Sequence, residues 1–231
     1  MTEGYALAAT TQSFGAGYYD MWLIKLGLSN LTDSDEDGLY DVWEIDGIDY
    51  DFDGTIDLNL TEANPQHKDI YLEIDYMNST GTSPLHDHRP DDSAITSVVN
   101  AFANAPVNNP DGVDGIELHI DVDDSFMHKP KIDAWRGFDQ LKEMFFGTQA
   151  QRSSTNNATI LAAKRLAYRY CLFIHQYALW NGTHWVTTTS SGIAELPGND
   201  FIVSLGNFTN PQGTPREQAG TFMHELGHTL G

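Results

Sequence analysis

The sequence predicts an α+β domain, close to the α/β class, over residues 63–231. Three observations predict it. Residues 68–77 and 115–122 alternate apolar and polar side chains as strands do. Between them Ile95, Val98, Val99 and Phe102 recur at helical spacing. The 231 residues are 40% hydrophobic and 11% aromatic, enough to bury a good-sized core. The order strand, helix, strand, more helix, strand and closing helix suits a sheet carrying helices.

Taken in chain order, the elements begin with a hairpin in residues 1–30. Gly4–Thr10 and Tyr18–Lys25 read as strands around Phe14-Gly15-Ala16-Gly17. A hairpin of that size does not fold alone, and it resembles one unit of the propeller-like repeats of large surface proteins. Residues 31–62 are rich in Asp and Gly. After the strand at 68–77, Asp91 or Asp92 caps a helix that Pro106 ends, and Asn109-Pro110-Asp111-Gly112 forms a turn. Ile132, Trp135, Phe138, Leu141 and Phe145 suit another helix, weakened by Gly137, and residues 158–170 read as helical. Residues 170–177 either end that helix or start a strand, and 201–205 form a short strand. Thr214 then caps a final helix, with Pro215 at its first position and Glu217 completing a capping box.

Charge narrows the classes of partner. Twelve Lys and Arg face 33 Asp and Glu, a formal net charge of −21, which argues against nucleic acid and anionic lipid. No run of 18 or more apolar residues provides for membrane insertion. A lone cysteine, Cys171, excludes an internal disulfide. Sequons at Asn30, Asn59, Asn78, Asn157, Asn181 and Asn207 exceed what composition supplies and point to a secreted or cell-surface protein. Residues 2–16 have neither the basic start nor the apolar core of a signal peptide. Together with the stop at Gly231, inside a motif, this gives the expectation of one part of a longer exported chain with further domains.

On a helical wheel for the closing helix, Ala219, Phe222, Leu226 and Leu230 share one face, with Met223 at its edge. His224 and His228 fall nearly opposite, one turn apart, with Glu225 beside them. Two neutral imidazoles at i and i+4 suit Zn²⁺, and the adjacent carboxylate suits a general base. His224-Glu225-Leu226-Gly227-His228-Thr229-Leu230-Gly231 resembles the opening of H-E-x-x-H-x-x-G-x-x-H, the metzincin zinc-protease signature. The resemblance implies a zincin-type catalytic domain with a twisted sheet and an active-site helix. It implies a third His ligand and a methionine-containing turn past Gly231, without which residues 1–231 alone are inactive. A gluzincin-type enzyme, with a downstream Glu ligand, shares the same opening. Residues 191–198 followed by 201–205 look like the antiparallel edge strand above the active-site helix in such enzymes, where an extended protein or peptide substrate would pair.

Residues 33–44 fit the calcium-loop pattern D-x-D-x-D-G-x₅-E. Asp33, Asp35 and Asp37 would give carboxylate oxygens, Leu39 its carbonyl, Asp41 an oxygen or a bridging water, and Glu44 two oxygens. Asp49, Asp51, Asp53, Thr55 and Asp57 repeat the pattern, but position twelve is Leu60, so the second site is weaker. Tandem short loops resemble thrombospondin type 3 or dockerin-like repeats, which serve exported proteins as calcium-stiffened connectors.

Other polar residues read as structural. His86-Asp87-His88 reads as a surface loop cluster, and His119 and His175 as hydrogen-bonded core histidines. Asp121, Asp123 and Asp124 read as a solvated strand end, and Cys171 as packing. The expectation is therefore a calcium-stabilised zinc endopeptidase. The alternative is a calcium-dependent surface or adhesion module whose zincin-like domain is not catalytic.

Overall fold

The computed structural model describes residues 5–11, 20–26, 31–81 and 85–231. Strands β1 (Tyr5–Thr11) and β2 (Asp20–Leu26) pair antiparallel, as the two strand-like runs of this stretch predict. Gly4, Tyr18, Tyr19 and the 14–17 linker lie outside the described residues, as do Asn30 and Pro84.

The remainder is a mixed α/β arrangement around a five-stranded, mostly parallel sheet, with a small three-stranded sheet beside it. The large sheet contains β3 (Asp69–Gly81), β4 (Glu117–His128), β6 (Tyr168–Ile174), β9 (Gly192–Ala194) and β10 (Asp200–Ser204), in the order β4-β3-β6-β10-β9. Four strands run parallel, and β9 is an antiparallel edge. The small sheet joins β5 (Ile132–Asp133), β7 (Tyr177–Trp180) and β8 (Trp185–Thr187).

Helix α2 (Asp92–Ala103) and the closing helix α6 (Pro215–Leu230) cover one face of the large sheet. There Ile70, Leu72 and Ile74 meet Val98, Phe102, Phe222 and Leu226. On the other face Met77, Tyr170 and Leu172 pack with Phe138 and Leu141 of α3 (Arg136–Phe145). Both faces are thus covered, which is why β6 reads as a continuous apolar run from Tyr170 to Ile174 rather than an alternation. The ambiguity at 170–177 resolves as strand.

Several boundaries differ from expectation. Ile132 belongs to β5, and α3 starts only after Trp135, whose φ of 41° interrupts the helical path. The helix at 158–170 is α5 (Asn157–Ala167), preceded by α4 (Gln149–Ser153). Strand β4 continues six residues past 122, so Asp121, Asp123 and Asp124 sit within it rather than at its end. Asp124 pairs with Arg152, and its backbone N–H donates to Asp75 Oδ1 at 2.8 Å.

Two carboxylates of β3 are fully buried. Glu73 pairs with Lys164 of α5 and accepts from the Gly147 N–H at 2.9 Å. Asp75 accepts from the Tyr170 hydroxyl at 2.5 Å. The acidic segment also packs onto this domain. Around α1 (Asp41–Asp46), Leu39, Ile48, Leu58 and Leu60 form one cluster with Tyr71, Ala163 and Ala167.

Candidate metal centres

Helix α6 begins as its sequence requires. The Thr214 hydroxyl accepts from Glu217 N–H, and the Glu217 carboxylate accepts from Thr214 N–H at 2.7 Å. One turn from its end, His224 Nε2 and His228 Nε2 stand 3.1 Å apart. Two nitrogens held at about 2.0–2.1 Å by one tetrahedral zinc would stand roughly 3.3 Å apart, so the pair fits a shared ion.

The buried face of α6 differs from the wheel. Gln218, Thr221, Phe222, Glu225, Leu226 and Thr229 are buried, whereas Met223 and Leu230 are exposed. Buried polar partners, which an apolar wheel ignores, turn the helix. Gln218 Oε1 accepts from Asp91 N–H at 2.7 Å, and the Thr229 hydroxyl accepts from Arg169 Nε at 3.0 Å. Glu225 therefore points inward beside β9 instead of outward with the histidines. Burial raises its pKa, against the opposing pull of His224 and His228. A Cβ at Gly192 would lie 2.5 Å from Glu225 Cγ and Oε1, so any larger residue there must displace the Glu225 side chain. The Gly192 carbonyl in turn accepts from the Tyr177 hydroxyl at 2.8 Å, which steadies β9.

The two acidic loops fold alike. Gly38 N–H donates to Asp33 Oδ2 at 3.0 Å, and Gly54 N–H to Asp49 Oδ2 at 2.9 Å. Leu39 N–H donates to Asp37 Oδ1, and Thr55 N–H to Asp53 Oδ1, both at 2.7 Å. Gly38 and Gly54 take φ of 97° and 90°, the left-handed turn that glycine allows. Asp41 and Asp57 close their loops by accepting from the N–H groups of Ser34 and Tyr50 at 2.8 and 2.9 Å. They stand apart from the clustered carboxylates Asp33–Asp35–Asp37 and Asp49–Asp51–Asp53.

The loops differ at position twelve. Both Glu44 oxygens are buried without a hydrogen-bond partner, as is Asp35 Oδ2. Glu44 gathers with Asp37 and with Asp69, a residue of β3 that loop spacing alone does not reveal. Burial, then repulsion from Asp37 and Asp35, pushes Glu44 up to about 8. An oxygen-seeking cation would relieve both the orphaned oxygens and the repulsion. In the second loop Leu60 enters the apolar cluster instead, and Asp51 and Asp53 are exposed.

A third group corrects the reading of His86 and His88 as a surface cluster. His88 is 4% exposed, and His86 is half-buried. One nitrogen from each of His86, His88, His128 and His175 lies within 4.8 Å of every other. Burial and mutual repulsion hold His88 down to about 2 and His175 to about 4, so both rings are neutral near pH 7. His175 is hydrogen-bonded as expected, its Nδ1 2.9 Å from His86 Nε2, but it is half-buried in this ring cluster rather than set in an apolar core. His119 does behave as a hydrogen-bonded histidine, with Nε2 2.5 Å from Asp69 Oδ1. Cys171 is fully buried, with its thiol pKa raised by burial, as packing requires. The sequence signal for the cluster was three segments, ending at His88, His128 and His175, whose convergence needs the parallel sheet.

Comparison with protein-family models, with curated proteins and with solved structures gives no match to this chain.

Proposed function

We propose that this chain carries the zinc-binding helix of an exported, calcium-stabilised metalloendopeptidase with a zincin-type, metzincin-like fold. The observation that carries the reading is the 3.1 Å approach of His224 and His228 Nε2 on the helix that also tucks Glu225 beside the edge strand. The four parallel strands with an antiparallel edge beside α6 support it too.

In this reading His224 and His228 are two of the three protein ligands of a catalytic zinc, and the resemblance assigns the third to residues after Gly231. The ion, when bound, supplies Lewis acidity to a water and to a peptide carbonyl. Glu225 takes the proton of the attacking water and returns it to the leaving amine. Its raised pKa suits both halves of that exchange. Strand β9, paired on one side with β10 among the described residues, offers its other edge to an extended peptide. Calcium in the first loop takes Asp33, Asp35, Asp37 and Glu44, with Asp69 joining them. The second loop holds calcium more weakly.

The test is Glu225→Gln in the intact chain, with casein as substrate. Turnover should fall by about 10²–10⁴-fold while metal content stays unchanged. Cleavage at the normal rate would sink the reading.

A further inference from the structure

We propose that His86, His88, His128 and His175 form a second transition-metal centre. It is a closed, four-imidazole Zn²⁺ site that staples the 85–90 loop to the carboxyl ends of two parallel strands, β4 and β6.

The donor set selects the ion. Four imidazoles without a carboxylate suit zinc and its first-row neighbours, and they do not suit calcium or magnesium, which prefer oxygen. Neutral rings are the form that binds metal. Four protein donors fill a tetrahedral shell, which marks a structural rather than a catalytic ion.

His88 also lacks an adequate alternative. His86 Nε2 and His175 Nδ1 approach to 2.9 Å and can share one proton. His88 Nε2, deep in the same cluster, is buried with no hydrogen-bond partner. A metal would satisfy it, whereas packing of the rings alone leaves it unmet.

The surroundings hold the rings in place before any ion arrives. His88 N–H donates to the Met77 carbonyl at 2.7 Å, which fastens the loop to β3. His128 is the last residue of β4, and His175 directly follows β6. Gly206 N–H donates to the His175 carbonyl at 2.8 Å, and a Cβ at Gly206 would stand 2.8 Å from His175 Cε1 and Nδ1. The ring is therefore seated against bare backbone, as supporting contacts around metal ligands require.

This centre is separate from the α6 pair. Thr229, at the far end of α6, bonds Arg169 at the start of β6, whereas His175 follows the end of that strand. Seven strand residues span about 20 Å. The centre stands whether or not α6 is catalytic.

The test uses the purified chain carrying His224→Ala and His228→Ala, with calcium in excess to fill the acidic loops. Co²⁺ titration should show one equivalent taken up, with the intense visible absorption of tetrahedral cobalt, and Zn²⁺ should displace it. Zn²⁺ at about a hundred times its Kd should raise the melting temperature by on the order of 5–10 °C. Adding His88→Gln or His175→Gln should abolish stoichiometric uptake. The proposal falls if the double variant binds no equivalent of either ion. It also falls if the spectrum is the faint one of six-coordinate cobalt, or if uptake survives both glutamine substitutions. If a glutamine variant does not fold, the spectrum and melting shift of the double variant alone decide.

Discussion

At Gly192 the backbone of β9 lies so close to Glu225 that a methyl group would stand 2.5 Å from its Cγ and Oε1. Gly192→Ala should push the carboxylate aside by a fraction of its own length. The intact chain should then lose roughly 10²-fold in kcat with its zinc content unchanged, measured by peptide cleavage and elemental analysis. Asp75 makes a different prediction. Burial, and then the charge of Glu73, pushes its pKa up to about 7, against the bonds from Tyr170 and Asp124 that favour the ionised form. The folded state therefore holds a proton that the unfolded chain releases near pH 4. This contribution is fully present below about pH 4 and is lost as pH rises through 7. Asp75→Asn removes the titration. Denaturant melts from pH 4 to 8 should show the wild type losing stability relative to the Asp75→Asn variant, by at most about 1.4 kcal/mol per pH unit. Equal pH profiles would refute it. Neither residue stands out in the sequence, because a glycine's neighbour and a carboxylate's burial are tertiary facts.

Among elements, the twin acidic loops were legible because each uses local side-chain bonds to its own backbone, at fixed spacing. The difference between them was legible too, since Leu60 stands where Glu44 stands in the first loop. What spacing missed was Asp69, which reaches the first loop through the fold. Glu44→Gln should expose this arrangement. Removing one of several mutually repelling carboxylates should raise the melting temperature in EGTA. It should also weaken calcium binding by on the order of tenfold or more, as calorimetry would show, so that the calcium-induced stabilisation shrinks. Helix α6 was legible at its start, where Thr214, Pro215 and Glu217 act locally. It was misread around its axis, because Gln218 and Thr229 are buried through partners that only the folded chain supplies.

Across the whole molecule, the mixed α/β class was readable from periodicity, whereas strand order and the meeting of four histidines were not. Parallel strands gather residues from distant segments at one sheet edge, and no short window of sequence contains that edge. The acidic segment illustrates the same point. Its composition reads as a connector, yet four of its apolar residues join Tyr71, Ala163 and Ala167 in a common cluster. Strand β3 links these features. Asp69 opens it beside the acidic loop, and the Met77 carbonyl near its other end tethers the histidine loop. Sliding this strand by one residue would swap Leu72 with Glu73 across the sheet and unseat both ends together. The two prospective ion seats are thus geared to a single rod, and an error in threading that rod would disable both at once.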